Sequence, residues 1–147
     1  MTAYNSSNSN RIFKASSDAV RVMSEVVDFS STTNAGGDTF DVIGVPANTL
    51  VLAAGCDILT ADTAGNSGTL AVGDSSGAAI YSAAAAPTST GQKTLTDDPK
   101  AYSAGDDIRL TVATGAINAK VRVWATMISL DKGGSDVDAD TQNVTFA

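Results

Sequence analysis

Lys120-Val121-Arg122-Val123-Trp124-Ala125-Thr126-Met127-Ile128-Ser129-Leu130 is the stretch on which the fold turns. Its side chains alternate: Val121, Val123, Ala125, Met127 and Ser129 share one face, and Arg122, Trp124, Thr126, Ile128 and Leu130 share the other. A period of two belongs to an extended strand resting on a core, because successive Cβ atoms point to opposite sides of a sheet. The second face begins with a charge and turns apolar towards Leu130, so this strand is expected to enter from solvent and finish buried.

Upstream, short β-branched runs recur between clusters of Gly, Asp, Asn, Ser and Thr, the pattern of an all-β sandwich or barrel. Strands are expected near 20–29, 38–45, 50–60, 68–73, 78–82, 93–96, 107–113 and 119–130. Leu50 to Thr60 is almost continuously apolar, as in a strand covered on both faces or lying at a subunit contact. Gly55 in its middle suggests a bulge or a bend. Pro46-Ala47-Asn48-Thr49 reads as a turn, with φ fixed at the proline and Asn tolerant of the left-handed region. Ser17 to Phe29 fits helical spacing as well as a strand, and its valine density favours the strand. Ala83 to Ala86 is too short before Pro87 to nucleate a helix and reads as a loop.

The expected organisation is one all-β domain, a single jelly-roll-like β-sandwich over 19–131, with an extended N-terminal arm over 1–18 and a C-terminal tail over 132–147. The opening MTAYNSSNSN is too polar for the apolar core of a signal peptide, and no stretch approaches the ~20 apolar residues of a membrane span. Its Ser/Asn content buries too little apolar surface to offset ordering entropy, so alone it is expected to be mobile unless a neighbouring chain holds it.

The 147 residues are 43 % hydrophobic but only 5 % aromatic, so the core must be aliphatic. Nine basic against sixteen acidic residues leave a charge of −7, which argues against nucleic acid and anionic membranes as partners. Histidine is absent, removing the usual general base and metal ligand, and one cysteine allows neither an intrachain disulfide nor a Cys-based metal cluster.

The remaining candidates for chemistry have plainer readings. Asp136-x-Asp138-x-Asp140 has calcium-loop spacing, but Thr141 stands where that loop needs Gly and Ala147 where it needs Glu, leaving a solvated acidic tail as the better reading. Asp97-Asp98 and Asp106-Asp107 would serve a glycosidase only at the right separation, and adjacent aspartates more often bond backbone N–H groups in turns. Cys56, in the most apolar run, reads as a small buried hydrophobe. Trp124 beside Arg122 suits either an interface hot spot or core filling. Asn143-Val144-Thr145 matches the glycosylation sequon by chance, and the Gly36-Gly37 and Gly133-Gly134 pairs read as turns. No catalytic residue, metal or cofactor is therefore expected.

The order of segments nevertheless resembles the small head proteins of tailed bacteriophages. Val42, Val45 to Ala47, Thr49, Val51 and Leu52 match a V-x-x-VPA-x-T-x-VL turn; Leu70 and Val72 to Asp74 match a strand ending in VGD. Tyr102, Ala104 to Asp106, Ile108 and Leu110 match a Y-x-AGD-x-I-x-L hairpin, and Lys120 to Ala125 match a K-V-R-V-W-A strand. The resemblance spans roughly Thr39 to Asp131. It implies a capsid decoration, or cement, protein: a non-enzymatic virion component on the outer surface of the capsid, bound to the major capsid protein and to itself as a homo-oligomer, a trimer rather than a dimer. The interface is then expected at Tyr4, Ile12, Phe13, Leu50, Leu52, Trp124 and Phe146. The alternative is a small carbohydrate- or receptor-binding module of a head or tail fibre.

Overall fold

The computed structural model describes residues 20–93, 95 and 99–130. These form β1 (Arg21–Asp28), β2 (Thr39–Val45), β3 (Thr49–Thr60), β4 (Thr69–Asp74), β5 (Gly77–Ala85), β6 (Gly91–Gln92), β7 (Lys100–Tyr102), β8 (Asp106–Thr114) and β9 (Lys120–Ser129). One sheet runs β1-β9-β3-β6, with β7 also paired to β3; the other runs β2-β8-β4-β5. Since β9 takes one side of β3, β6 and β7 share its far edge, β6 at Asp57 and Ile58 and β7 at Thr49 to Val51. Counting β6 and β7 as one position, four ranks face four ranks in a β-sandwich whose strand order is compatible with a jelly roll.

The period of two in β9 decides which side is inside. Val121, Val123 and Ala125 are fully buried and Met127 nearly so, while the alternate side chains look outward from the sandwich. Opposite them, Ile43, Leu70, Val72, Ile108, Leu110 and Val112 of the second sheet complete an aliphatic core. Phe29 closes one end edge-on against Phe40, with ring centroids 5.2 Å apart. Interior β3 is near-continuously apolar because its inner side is buried and its outer side half-covered.

Four expectations change. The outward face of β9 does not finish buried: Ile128 is half-buried and Leu130, just past the strand's end, is 50 % exposed, because this face points away from the second sheet. Gly55 marks no bulge; it pairs in register with Trp124, and the irregularities of β3 fall at Val51/Ala53 and Ile58/Thr60. Ala83 to Ala85 are strand, since β4 offers pairing as far as Leu70 opposite Ala85, and a ladder overrides weak local propensity. Of the strand expected near 93–96, Thr94 and Thr96 lie outside the described residues and Lys93 and Leu95 are not strand; the two-residue β6 lies just before it at Gly91–Gln92, and the three-residue β7 has no counterpart among the expected strands. Asn48 does take the left-handed conformation expected of its turn, with φ of 55°.

Candidate functional site

The outward face of β1, β9 and β3 gathers the exposed chemistry of the first sheet. Register places Ser24, Trp124 and Gly55 in one row and Val26, Arg122 and Asp57 in the next. Cross-strand neighbours on one face are close enough to interact directly. Arg122 donates to Asp57 Oδ2 from Nη2 at 2.7 Å and from Nε at 3.1 Å. Lys120 lies 3.8 Å from Asp28 at the end of the same ladder. Between these rows an open groove is lined by Val22, Ser24, Asp57, Gln92, Arg122 and Trp124.

Gly55 explains how the half-buried indole of Trp124 lies against the sheet. A Cβ at that position would collide with the Leu95 side chain and come within 3.3 Å of the indole, so the bare backbone makes room for both. Leu50 stands opposite Ile128 on β9, and Leu50 and Leu52 are both half-buried. The structure thus brings Leu50 and Trp124 to one sheet, while Tyr4, Ile12, Phe13 and Phe146 lie outside the described residues.

The candidate reactive groups are built into structure. Cys56 is fully buried; burial pushes its thiol up to about 11, Lys93 pulling weakly the other way and Asp57 adding to the rise. Such a thiol carries almost no thiolate at neutral pH. Asp106 accepts the Asp107 N–H at 2.8 Å and the Ser75 hydroxyl at 2.8 Å; the pair bonds a backbone N–H as expected of adjacent aspartates, but at the start of β8 and not in a turn. Asp97, Asp98, Asp136, Asp138 and Asp140 lie outside the described residues. Among the described residues no group of three acidic or Cys side chains is placed to hold a metal.

A cluster that sequence reasoning missed sits at the β4–β5 hairpin. Asp74, only 2 % exposed, accepts the Ser76 N–H at 2.8 Å and the Ser76 hydroxyl at 2.7 Å. Tyr102 donates to its other oxygen at 2.6 Å, and Lys100 forms an ion pair there. The single Tyr102 proton being used, Tyr81 must donate across the 2.6 Å contact between the two hydroxyls. Burial alone would raise the Asp74 carboxyl; the bonds from Lys100, Tyr102 and Ser76 outweigh it and hold the group well below the usual carboxylate range. Burial, then the bonds to Asp74 and Tyr81, push Tyr102 far above the usual phenol range. Gly73 precedes Asp74 because the returning backbone at Gly77 and Ala78 occupies the space of a Cβ. The VGD segment is therefore a close-approach glycine followed by a hairpin lock.

The fold and this face together define an antiparallel β-sandwich whose exposed features suit contact. No family model and no curated protein matches the chain. Solved structures do. A chain from the cyanophage Pam1 capsid asymmetric unit is 26 % identical, with a TM-score of 0.60 over 76 % of this chain and 85 % of that one. A chain from the acid-stable capsid of Helicobacter pylori bacteriophage KHP30 has a TM-score of 0.60 at 8 % identity, over 76 % of this chain and 89 % of that one. The capsid of Ralstonia phage GP4 supplies a third, at 0.57 and 16 % identity, covering 77 % and 86 %. The chain shares its fold with proteins of phage capsids.

Proposed function

We infer that the protein is a structural component of a bacteriophage virion, bound to the outer surface of the capsid and bridging major capsid subunits. The observation that carries this is the likeness to three phage-capsid chains across most of their length and three quarters of this one. A charge of −7 favours the outside of a shell over the side facing packaged DNA. The Trp124 face supplies contact area, and residues 1–18 and 132–147 serve as arms to neighbouring subunits. Such a protein stabilises by linkage: it binds the assembled lattice and not the dissociated subunits, drawing the equilibrium towards assembly.

The test is reconstitution. Purified protein added to shells that lack it should bind saturably and raise the temperature at which they break open; failure to bind contradicts the reading. Deleting residues 1–12 should lower occupancy while leaving the circular dichroism of the core unchanged, and full occupancy would refute the arm.

One observation favours a carbohydrate-binding reading as well. The groove beside Trp124 sets an aromatic surface next to Arg122, Asp57 and Gln92, donors and acceptors suited to a pyranose. Binding on a glycan array that is lost in Trp124→Ala would support it; a blank array would remove it.

A further inference from the structure

The described residues carry six exposed large hydrophobic side chains, and four of them are crowded on one short segment: Val20 at 55 %, Val22 at 71 %, Met23 at 44 % and Val26 at 50 %. That segment is β1 and the residue before it; among the described residues β1 pairs only with β9, which leaves its other edge open along its whole length. An apolar, unpaired edge strand is a template for another strand, and natural proteins cover or blunt such edges. β1 has neither a proline nor a lysine to do so.

The charges on β1 indicate what covers it. Of the six described Lys and Arg residues, Lys100, Arg109, Lys120 and Arg122 are paired with aspartates, and Lys93 donates to the Ala86 carbonyl. Arg21 has no such partner among the described residues, and neither does Glu25. Both lie on the same face of β1, opposite Met127 and Val123 of β9. They cannot meet within one chain, because four residues of strand separate them by about 13 Å. A two-fold axis through Met23 places each directly opposite the other.

We propose that the open edge of β1 pairs antiparallel with β1 of a second copy, about a two-fold axis at Met23, joining the two first sheets into one. In that register Arg21 faces Glu25 of the other copy twice, Met23 faces Met23, Val22 faces Ser24 and Val20 faces Val26. The neighbouring registers that keep the two sandwiches on the same side do worse. Centring on Ser24 sets Met23 against Glu25 and Arg21 against Val27. Centring on Glu25 sets like charges face to face, which is destabilising. Centring on Val22 sets Arg21 against Met23. Only the Met23 register satisfies both lone charges while covering the valines. The result is a two-fold pair, whereas the resemblance to phage head proteins implies a trimer.

The experiment uses the full chain, free of any capsid, so its outcome is independent of the proposed virion role. Sedimentation equilibrium should give twice the chain mass at micromolar concentration. Arg21→Glu and Glu25→Arg, each at an exposed position, should weaken self-association by about tenfold or more by setting like charges opposite each other twice. The double variant carrying both changes should restore it. In the same register Met23→Cys should link to itself on mild oxidation, since directly paired Cα atoms lie about 4.5–5.5 Å apart, within disulfide range. Ser24→Cys, offset by two positions, should not. A monomer, a trimer, association indifferent to the charge reversals, or linkage through Ser24→Cys in place of Met23→Cys would each overturn the proposal.

Discussion

Asp74 shows how a single buried carboxylate is made safe. Its oxygens receive Ser76 twice, Tyr102 and Lys100, so the charge is fully paired in a place where an unpaired one would be very costly. Asp74→Ala should therefore cost about 3 kcal/mol, since it leaves Lys100, Tyr102 and Ser76 without their shared acceptor, and chemical denaturation measures this directly. The pH dependence has a definite sign. The folded-state value lies below the ordinary one, so the network's full contribution is present above about pH 4 and is lost as pH falls below it. Wild type should lose stability steeply in that acid range, and Asp74→Asn should start lower and fall less steeply. Parallel curves would disprove the lock. The VGD segment was visible in the sequence, but its role was not, because Lys100 and Tyr102 reach Asp74, and Tyr81 reaches Tyr102, only through sheet pairing and packing.

At the scale of elements, the longer apolar or β-branched runs were legible, and the shortest strands and the alanine end of β5 were not. β9 and β8 bury every second residue, and β3 is apolar throughout, so composition and period alone located them within a residue or two. β7 has three residues, and the end of β5 is a run of alanines; each is strand only because a partner's ladder extends alongside. Gly55 in β3 was noticed for the wrong reason, since the space it leaves is filled by Leu95 and Trp124 and the backbone stays in register. Gly55→Val should lift the indole off the sheet at a cost of about 1–3 kcal/mol. Trp124 is the sole tryptophan, so its emission should shift to longer wavelength. Emission identical to wild type would mean that the indole does not rest on this position.

For the whole molecule, the sandwich and the likeness to phage head proteins were both readable from segment order, because turns such as VPA and VGD are set by backbone constraints that a sequence records. The candidate contact face was only partly readable. Trp124 stood out beside Arg122 on an alternating strand and Leu50 in a run read as covered on both faces or lying at a subunit contact, yet the pairing of Arg122 with Asp57 and the open edge of β1 depend on which strands become neighbours. An acidic exterior, buried Cys56 thiol and broad sheet face are consistent with a molecule that works through contact area.

The central claim, residence on the outside of a phage shell, is tested most directly on intact purified particles. Quantitative mass spectrometry should find this chain at a fixed ratio to the major capsid protein, and a membrane-impermeant label or protease applied to unopened particles should reach it. Absence from the particles, or protection until the shell is broken, would contradict the account.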